Sequence, residues 1–492
     1  MKLSFEYGHG LMEANLPDTT DVFIPGETVA DPAFLGDIEK ATQESILNPL
    51  GVPPISKQVK KGSKVVIIFP DKVKGGFQET SHRKTSIPII IEECLRAGVL
   101  SSDIKLICSN GLHRKNTKEE IKSLLGDAVF NRFWPEGQIV NHDSEDWSNL
   151  IDLGIEPVYK SHVIMNKEVY NADLAVLIGH TLGNPYGGYS GGYKHCATGI
   201  THWKCIGAHH TPSVMHREDF VPVSVNSLMR GKFDAIGMHM EEAMGKKFFV
   251  CDAVLDTYQR QIAVFTGAAA AIQPPSWKVA DTRTYVHWAE KKYDVMVMGM
   301  PQAFHYGNGM GTNPILMMQA ISAQIIRHKR ILSDNPVIIC SSLCNGYFHD
   351  EEFPSYRDLY NLFQKDYANT LPDVEKYNEY MSNNQAYVDK YRYNYGFHPF
   401  HAFSMISCAH IAEKHCAAVY IVGAQEPGFA RGMGMKTRST FEEALSDARK
   451  FTGPNPNILA LPKAFKTASV HLCMKGEEAS GPQDRDCPSN LN

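Results

Sequence analysis

DLAVLIGHTLGNPYGGYSGGYKH, residues 173–195, passes from an unbroken apolar run into a glycine-dense loop that ends on a lysine. A continuous apolar run of this length suits a strand buried on both faces of a parallel sheet. Glycines after such a strand let backbone approach a ligand closely and present amide donors to an anion. The pattern recurs upstream: KVVIIF (64–69) leads into PDKVKGG, and IKLIC (104–108) leads into SNGLHRKNT. Downstream, YDVMVMG (293–299), PVIIC (336–340), AAVYIVG (417–423) and NILALP (457–462) repeat it. Between these runs lie amphipathic segments, among them SIPIIIEECLRAGV (86–99), TKEEIKSLLG (117–126), NPILMMQAISAQIIRH (313–328), FSMISCAHIAEKH (403–415) and TFEEALSDARKF (440–451), several opened by Ser, Thr or Asn caps. Strand and helix patterns in alternation predict an α/β fold.

A chain of 492 residues is longer than one hydrophobic core usually serves. The least regular stretch near its middle, GAAAAIQPPSWKVADT (267–282), marks a boundary between residues 1–275 and 280–475. Residues from about 345 to 400, rich in Tyr and Asn, read as a helical or loop insertion, and 476–492 as a disordered tail. The expectation is two Rossmann-like parallel-sheet domains facing across a cleft.

Hydrophobic residues make up 43% and charged residues 21%, with a net charge of −5, which gives no basic field for a nucleic-acid backbone. No run approaches the roughly 18 apolar residues of a membrane helix, and the start MKLSFEYGHG has no signal-peptide pattern. Eleven scattered cysteines without paired CxxC spacing read as reduced thiols, so the expected protein is soluble and cytoplasmic.

In open parallel sheets, ligands sit beyond the carboxyl ends of the strands. Those ends carry Asp71 and Lys74, then His113 beside Arg114, then His180, Asn184 and Lys194. The loop is not a nucleoside-triphosphate loop, because the GxxxxGK[ST] spacing is missing. Asp71 alone suits a turn, and His113 alone suits a surface loop or a base tuned for proton transfer. HCATGITHWKCIGAHH (195–210) holds four histidines and two cysteines without CxxC or HExxH spacing, which leaves metal binding and simple packing both open.

Taken in order, DKVK (71–74), NGLHR (110–114), NHDSEDWSNLIDLG (141–154), GGYSGGYK (187–194), the AHH of 208–210 and GMGMKTRSTFEEAL (432–445) resemble the nickel-dependent lactate racemase family. That family carries an aspartate-led D-x-T-R element, a T-H-R element, a P-H-x3-G-F-S-G-G-x-K loop and a downstream N-H. The resemblance implies a racemase or epimerase of 2-hydroxy acids using nickel in a pincer nucleotide, a nicotinate-derived mononucleotide attached through Lys194. His210 would be the nickel ligand, His113 a general base, and Asp71 and Lys74 would border the cofactor and its phosphate. The first domain would hold the cofactor and the second would close over substrate. Partners would be a small 2-hydroxy acid and the enzymes that build the cofactor, with homo-oligomerisation left open.

Three departures from the family pattern bear on the chemistry. The second catalytic histidine, ten residues before the lysine, is Asn184, which cannot take a proton. His180, His195 and His305 are candidate replacements, and a single-base mechanism is open. The Y-Q-x-x-K of the second domain keeps Gln319 but places Ser322 where the lysine would face the substrate carboxylate, and Lys74 replaces an arginine. Lactate is therefore a poor substrate candidate, and a longer acid such as a sugar acid fits better. Rival readings are a one-sided redox or elimination enzyme with the same cofactor, and a binding protein that has lost turnover.

Overall fold

The computed structural model describes residues 1–74, 81–220, 225–366, 370–465 and 470–476. In the first half, six strands form one sheet in the spatial order Gln261–Gly267, Phe249–Leu255, Leu174–Thr181, Val65–Phe69, Ile104–Cys108 and Ile139–Asn141. Every neighbouring pair is parallel except the last in sequence, Gln261–Gly267. Strand order reverses between Val65–Phe69 and Leu174–Thr181, the switch point where a doubly wound sheet opens its ligand crevice. The strand VVIIF divides its side chains by the two-residue period of a strand. Val65, Ile67 and Phe69 pack with Ile87 and Ile91 on one face, whereas Val66 and Ile68 pack with Tyr193 and Phe233 on the other.

The second half builds another parallel sheet, in the order Lys436–Arg438, Ala418–Val422, Leu332–Ser341, Tyr293–Pro301, Ile458–Leu461. Its central strand sends Val295 and Val297 to one core and Met296 and Met298 to the other. Both sheets are of Rossmann type, as the alternation of patterns predicts.

Two expectations are corrected. Residues 1–275 do not all stay with the first sheet: Lys2–Gly8 pairs in parallel with Tyr293–Pro301, and Asp21–Val22 pairs with Ile458–Leu461. The cause is the apolar side of that strand, whose fully buried Phe5 lies 4.8 Å from the Phe441 ring in the second-half core. The stretch 267–282 is not irregular either, since Ala269–Thr284 is a helix containing Pro274 and Pro275. Its Ala269, Ile272, Gln273 and Ser276 are buried, while Pro274 and Ala270 are exposed. Water can therefore satisfy the carbonyls that the prolines leave without a donor. The tail beyond 476 lies outside the described residues.

The Tyr-rich insertion folds as helices Tyr356–Asp366, Thr370–Ser382 and Gln385–Tyr393. It ties the two halves together beside the loop of His113. The buried Tyr391 hydroxyl donates to the Gly111 carbonyl at 2.8 Å and accepts from the Ser144 backbone N–H at 2.9 Å. Replacing Tyr391 by Phe leaves both groups without this partner, and a loss of about 1–3 kcal/mol is expected in a urea melt. A midpoint unchanged within error would show that the contact is idle.

Glu145 makes a second tie, accepting from His398 Nε2 at 2.8 Å with His202 Nε2 at 3.7 Å. Burial alone would raise this carboxyl, but its histidine partners more than reverse that and hold it at about 2. A carboxyl lowered on folding adds stability above its ordinary value near 4.5 and loses it as pH falls towards 2. Glu145→Gln is thus expected to be less stable at pH 7, with the gap to wild type closing between pH 4.5 and 2. A gap that stays constant across that range would remove Glu145 from the acid response.

Candidate active site

The carboxyl ends of the switch-point strands open into a cavity of about 1070 Å³ lined from both sheets. Asp71 follows Val65–Phe69 and is 1% exposed. Its Oδ2 accepts from His113 Nδ1 at 2.7 Å, and its Oδ1 has no hydrogen-bond partner. His113, brought there by the loop after Ile104–Cys108, is ringed by Tyr306, Phe397 and His401 at centroid distances of 5.5–5.6 Å. A carboxylate on Nδ1 fixes the ring and leaves Nε2 as the basic nitrogen.

The glycine-dense loop folds back from Leu174–Thr181 and enters the helix Gly192–Gly199. Gly191, at φ 78°, sits against Asp252, where an added Cβ would lie 2.2 Å from the carboxylate Oδ2. That oxygen accepts the Gly192 N–H at 2.9 Å, which pins the helix start under the strand ends. Lys194, on the first turn, donates to Asn184 Oδ1 at 3.1 Å and to the Tyr186 carbonyl at 2.7 Å. Burial first, then the charges of Lys74 and Arg230, hold its amine well below the usual lysine range. Lys74 lies 5.7 Å over the Tyr306 ring and is lowered by burial, against the attraction of Asp71.

His210 closes the same wall. It stacks on Tyr186 at 5.2 Å, and its Nδ1 lies 2.6 Å from His209 Nδ1. Burial keeps the ring neutral, the form that binds metals, with Nε2 as the remaining donor. Among the described residues no three His, Cys, Asp or Glu side chains converge on one point. A metal on His210 would therefore take its other ligands from a bound group.

His180 and His195 also line the cavity, and burial pushes them down to about 3 and about 4. The Nδ1 atoms of both, with Asp252 Oδ1, are buried and lack partners. His195 Nε2 is 2.6 Å from Ser109 Oγ. His305 lines the other side on a loop strained to φ 35°, the kind of cost retained where a site needs it.

Gln319 faces the cavity from the helix Pro314–His328, but Ser322 does not. Ala320, Ala323, Gln324 and Arg327 share the cavity-facing stripe, and at about 100° per residue Ser322 falls outside it. Its buried hydroxyl donates to the Ala409 carbonyl at 2.8 Å. The substrate contact expected of Ser322 is thus corrected to an internal one. His401 and Arg327 are cavity residues that the sequence pattern did not single out.

Residues 7–221 match the model of the lactate racemase N-terminal domain. The chain is 27% identical over 229 residues to lactate racemase of Lactiplantibacillus plantarum, covering 46% of this chain and 50% of that protein. It is 23% identical over 266 residues to lactate racemase of Thermoanaerobacterium thermosaccharolyticum, covering 54% and 59%. These matches span about half the length of the curated relatives. The lactate racemase apoprotein structure from T. thermosaccharolyticum shares the fold with TM-score 0.70 at 19% identity, over 96% of this chain and 100% of that one. A Thermotoga maritima protein shares it with TM-score 0.59 at 13% identity, over 89% and 97%. The first half of the chain thus resembles the lactate racemase N-terminal domain, and the whole chain shares the fold of the lactate racemase apoprotein.

Proposed function

We propose that this protein is a racemase or epimerase that inverts C2 of a 2-hydroxy acid other than lactate, using a nickel pincer nucleotide attached at Lys194. The observation that carries the reading is the meeting, in one cavity, of His113, held from behind by Asp71, with Lys194, whose amine burial holds well below the usual lysine range, and the neutral ring of His210. The residues fit such a group: an amine able to bond to a thiocarboxylate, a histidine nitrogen for nickel, Lys74 for a phosphate, and buried polar atoms without partners around them. When bound, such a group would supply a reversible hydride acceptor for C2. His113 Nε2 takes the hydroxyl proton while Asp71 holds the ring in place. On the other face, His180 or His195 must do what Asn184 cannot, since the Asn184 oxygen already accepts from Lys194 and Tyr186 N–H. That same arrangement favours a second reading, a one-sided redox reaction that stops at the keto acid.

No disulfide joins the described cysteines, and no helix among the described residues is long and apolar enough to cross a membrane. Both support a cytoplasmic protein that meets the enzymes building its cofactor there. The deciding experiment loads the protein alongside a cofactor-building pathway and follows a panel of 2-hydroxy acids in D2O by NMR. Inversion with C2 hydrogen retained supports the racemase, accumulating keto acid supports the one-sided reaction, and neither outcome across the panel rejects both.

A further inference from the structure

Among the cationic groups facing the cavity, Arg327 stands apart. It closes the last turn of Pro314–His328, on the stripe that also presents Gln319, Ala320, Ala323 and Gln324. Among the described residues its guanidinium has no hydrogen bond and no carboxylate, and its Nε is buried without a partner. Other enclosed arginines of this fold are structural. Arg83 donates to the carbonyls of Pro70 and Lys74, and Arg230 to those of Gly187 and Tyr189. Arg283 shares the cavity wall with Arg327, and burial with the Arg283 charge lowers Arg327 to about 10. The Arg327 guanidinium, enclosed in this wall with another cation acting on it, is favoured when an anion lies beside it.

We propose that Arg327 is the carboxylate grip of this cavity, holding the acid group of the hydroxy-acid substrate through the fork of its guanidinium. The inference rests on the reaction class proposed above and adds the residue that recognises its substrate. A planar fork matches a carboxylate with two parallel hydrogen bonds, which a lysine ammonium cannot supply. The position is suitable as well, because Lys74, His113, Lys194, His305 and Arg327 all line the one cavity. Ser322, turned inward, brings no charge to this wall. The helix thus presents its cation from Arg327, five residues further on.

The test is calorimetric titration of the cofactor-free full chain with oxalate, lactate, gluconate and inorganic phosphate, comparing wild type with Arg327→Ala and Arg327→Lys. At least one carboxylate should bind wild type and weaken roughly 10- to 100-fold in Arg327→Ala. Arg327→Lys should recover only part of that affinity, and phosphate binding should be unchanged. Equal carboxylate affinities in all three proteins overturn the proposal. So does a loss confined to phosphate, which would make Arg327 a phosphate ligand, or the absence of carboxylate binding to wild type. A protein that binds a carboxylate through Arg327 but, once loaded, inverts no acid of the panel would retain the grip and reject the racemase.

Discussion

Replacing Lys194 by alanine is expected to abolish both the covalent mass increment and turnover in protein produced alongside the cofactor-building enzymes. A lysine becomes a nucleophile when its amine is neutral, and burial beside other cations is a direct route to that state. Lys194 has this setting: among the described residues no carboxylate pairs with it, while Lys74 and Arg230 add to the cost of its charge. A neutral amine carries two protons and one lone pair. The Asn184 side-chain oxygen and the Tyr186 carbonyl are placed to take the two protons, which leaves the lone pair for a bond into the cavity. Lys194→Arg keeps a cation but never offers a neutral nitrogen at ordinary pH, so it should fail as completely as alanine. Intact mass, nickel content and a thermal melt on the three proteins make the comparison. Full increment and nickel in Lys194→Ala, in a folded protein, would place the attachment elsewhere and dissolve the mechanism.

The strands of this fold are unusually easy to read because they are buried on both faces. Ile104–Cys108 is bounded as its apolar run is, and Tyr293 and Asn313 begin a strand and cap a helix where the pattern turns. The capping boxes of Thr117 with Glu120 and Thr440 with Glu443 are local signals of the same kind. The first strand, Lys2–Gly8, also has a strand-like pattern, yet its partner lies nearly three hundred residues away, and nothing local names it. Pro274 and Pro275 mislead in the other direction, because a helix tolerates them where its freed carbonyls face water.

At the site the same division holds. Asp71 and His113 lie just past strand ends, so the sheet itself brings them together, and the glycine-dense loop that leaves the strand Leu174–Thr181 carries Lys194 back to the same end. Arg327 and His401 sit inside helices, where the rotation of the helix decides what they face. Ser322 lies only about 60° round the helix from Gln319, yet that is enough to carry it past the edge of the cavity-facing stripe and onto the Ala409 carbonyl.

Asp71→Asn is expected to lower kcat about 10²- to 10⁴-fold on whichever acid turns over, the range a positioned base supplies, with little change in substrate affinity. Asp71 Oδ2 accepts the Nδ1 proton of His113 at 2.7 Å, and this bond selects the tautomer that leaves Nε2 unprotonated. An asparagine at 71 can present its amide N–H to Nδ1 instead, which moves the ring proton to Nε2 and removes the base without removing the ring. His113→Ala should fall by a similar factor, and the double variant should be little worse than either, since both changes disable one unit. The ¹⁵N shifts of His113 report the tautomer directly in both wild type and Asp71→Asn. A reversed tautomer with depressed kcat ties the aspartate to proton transfer. An Asp71→Asn protein within a few-fold of wild type, beside an inactive His113→Ala, would return Asp71 to the role its position after a strand allows on its own, that of a turn residue whose carboxylate supports the loop.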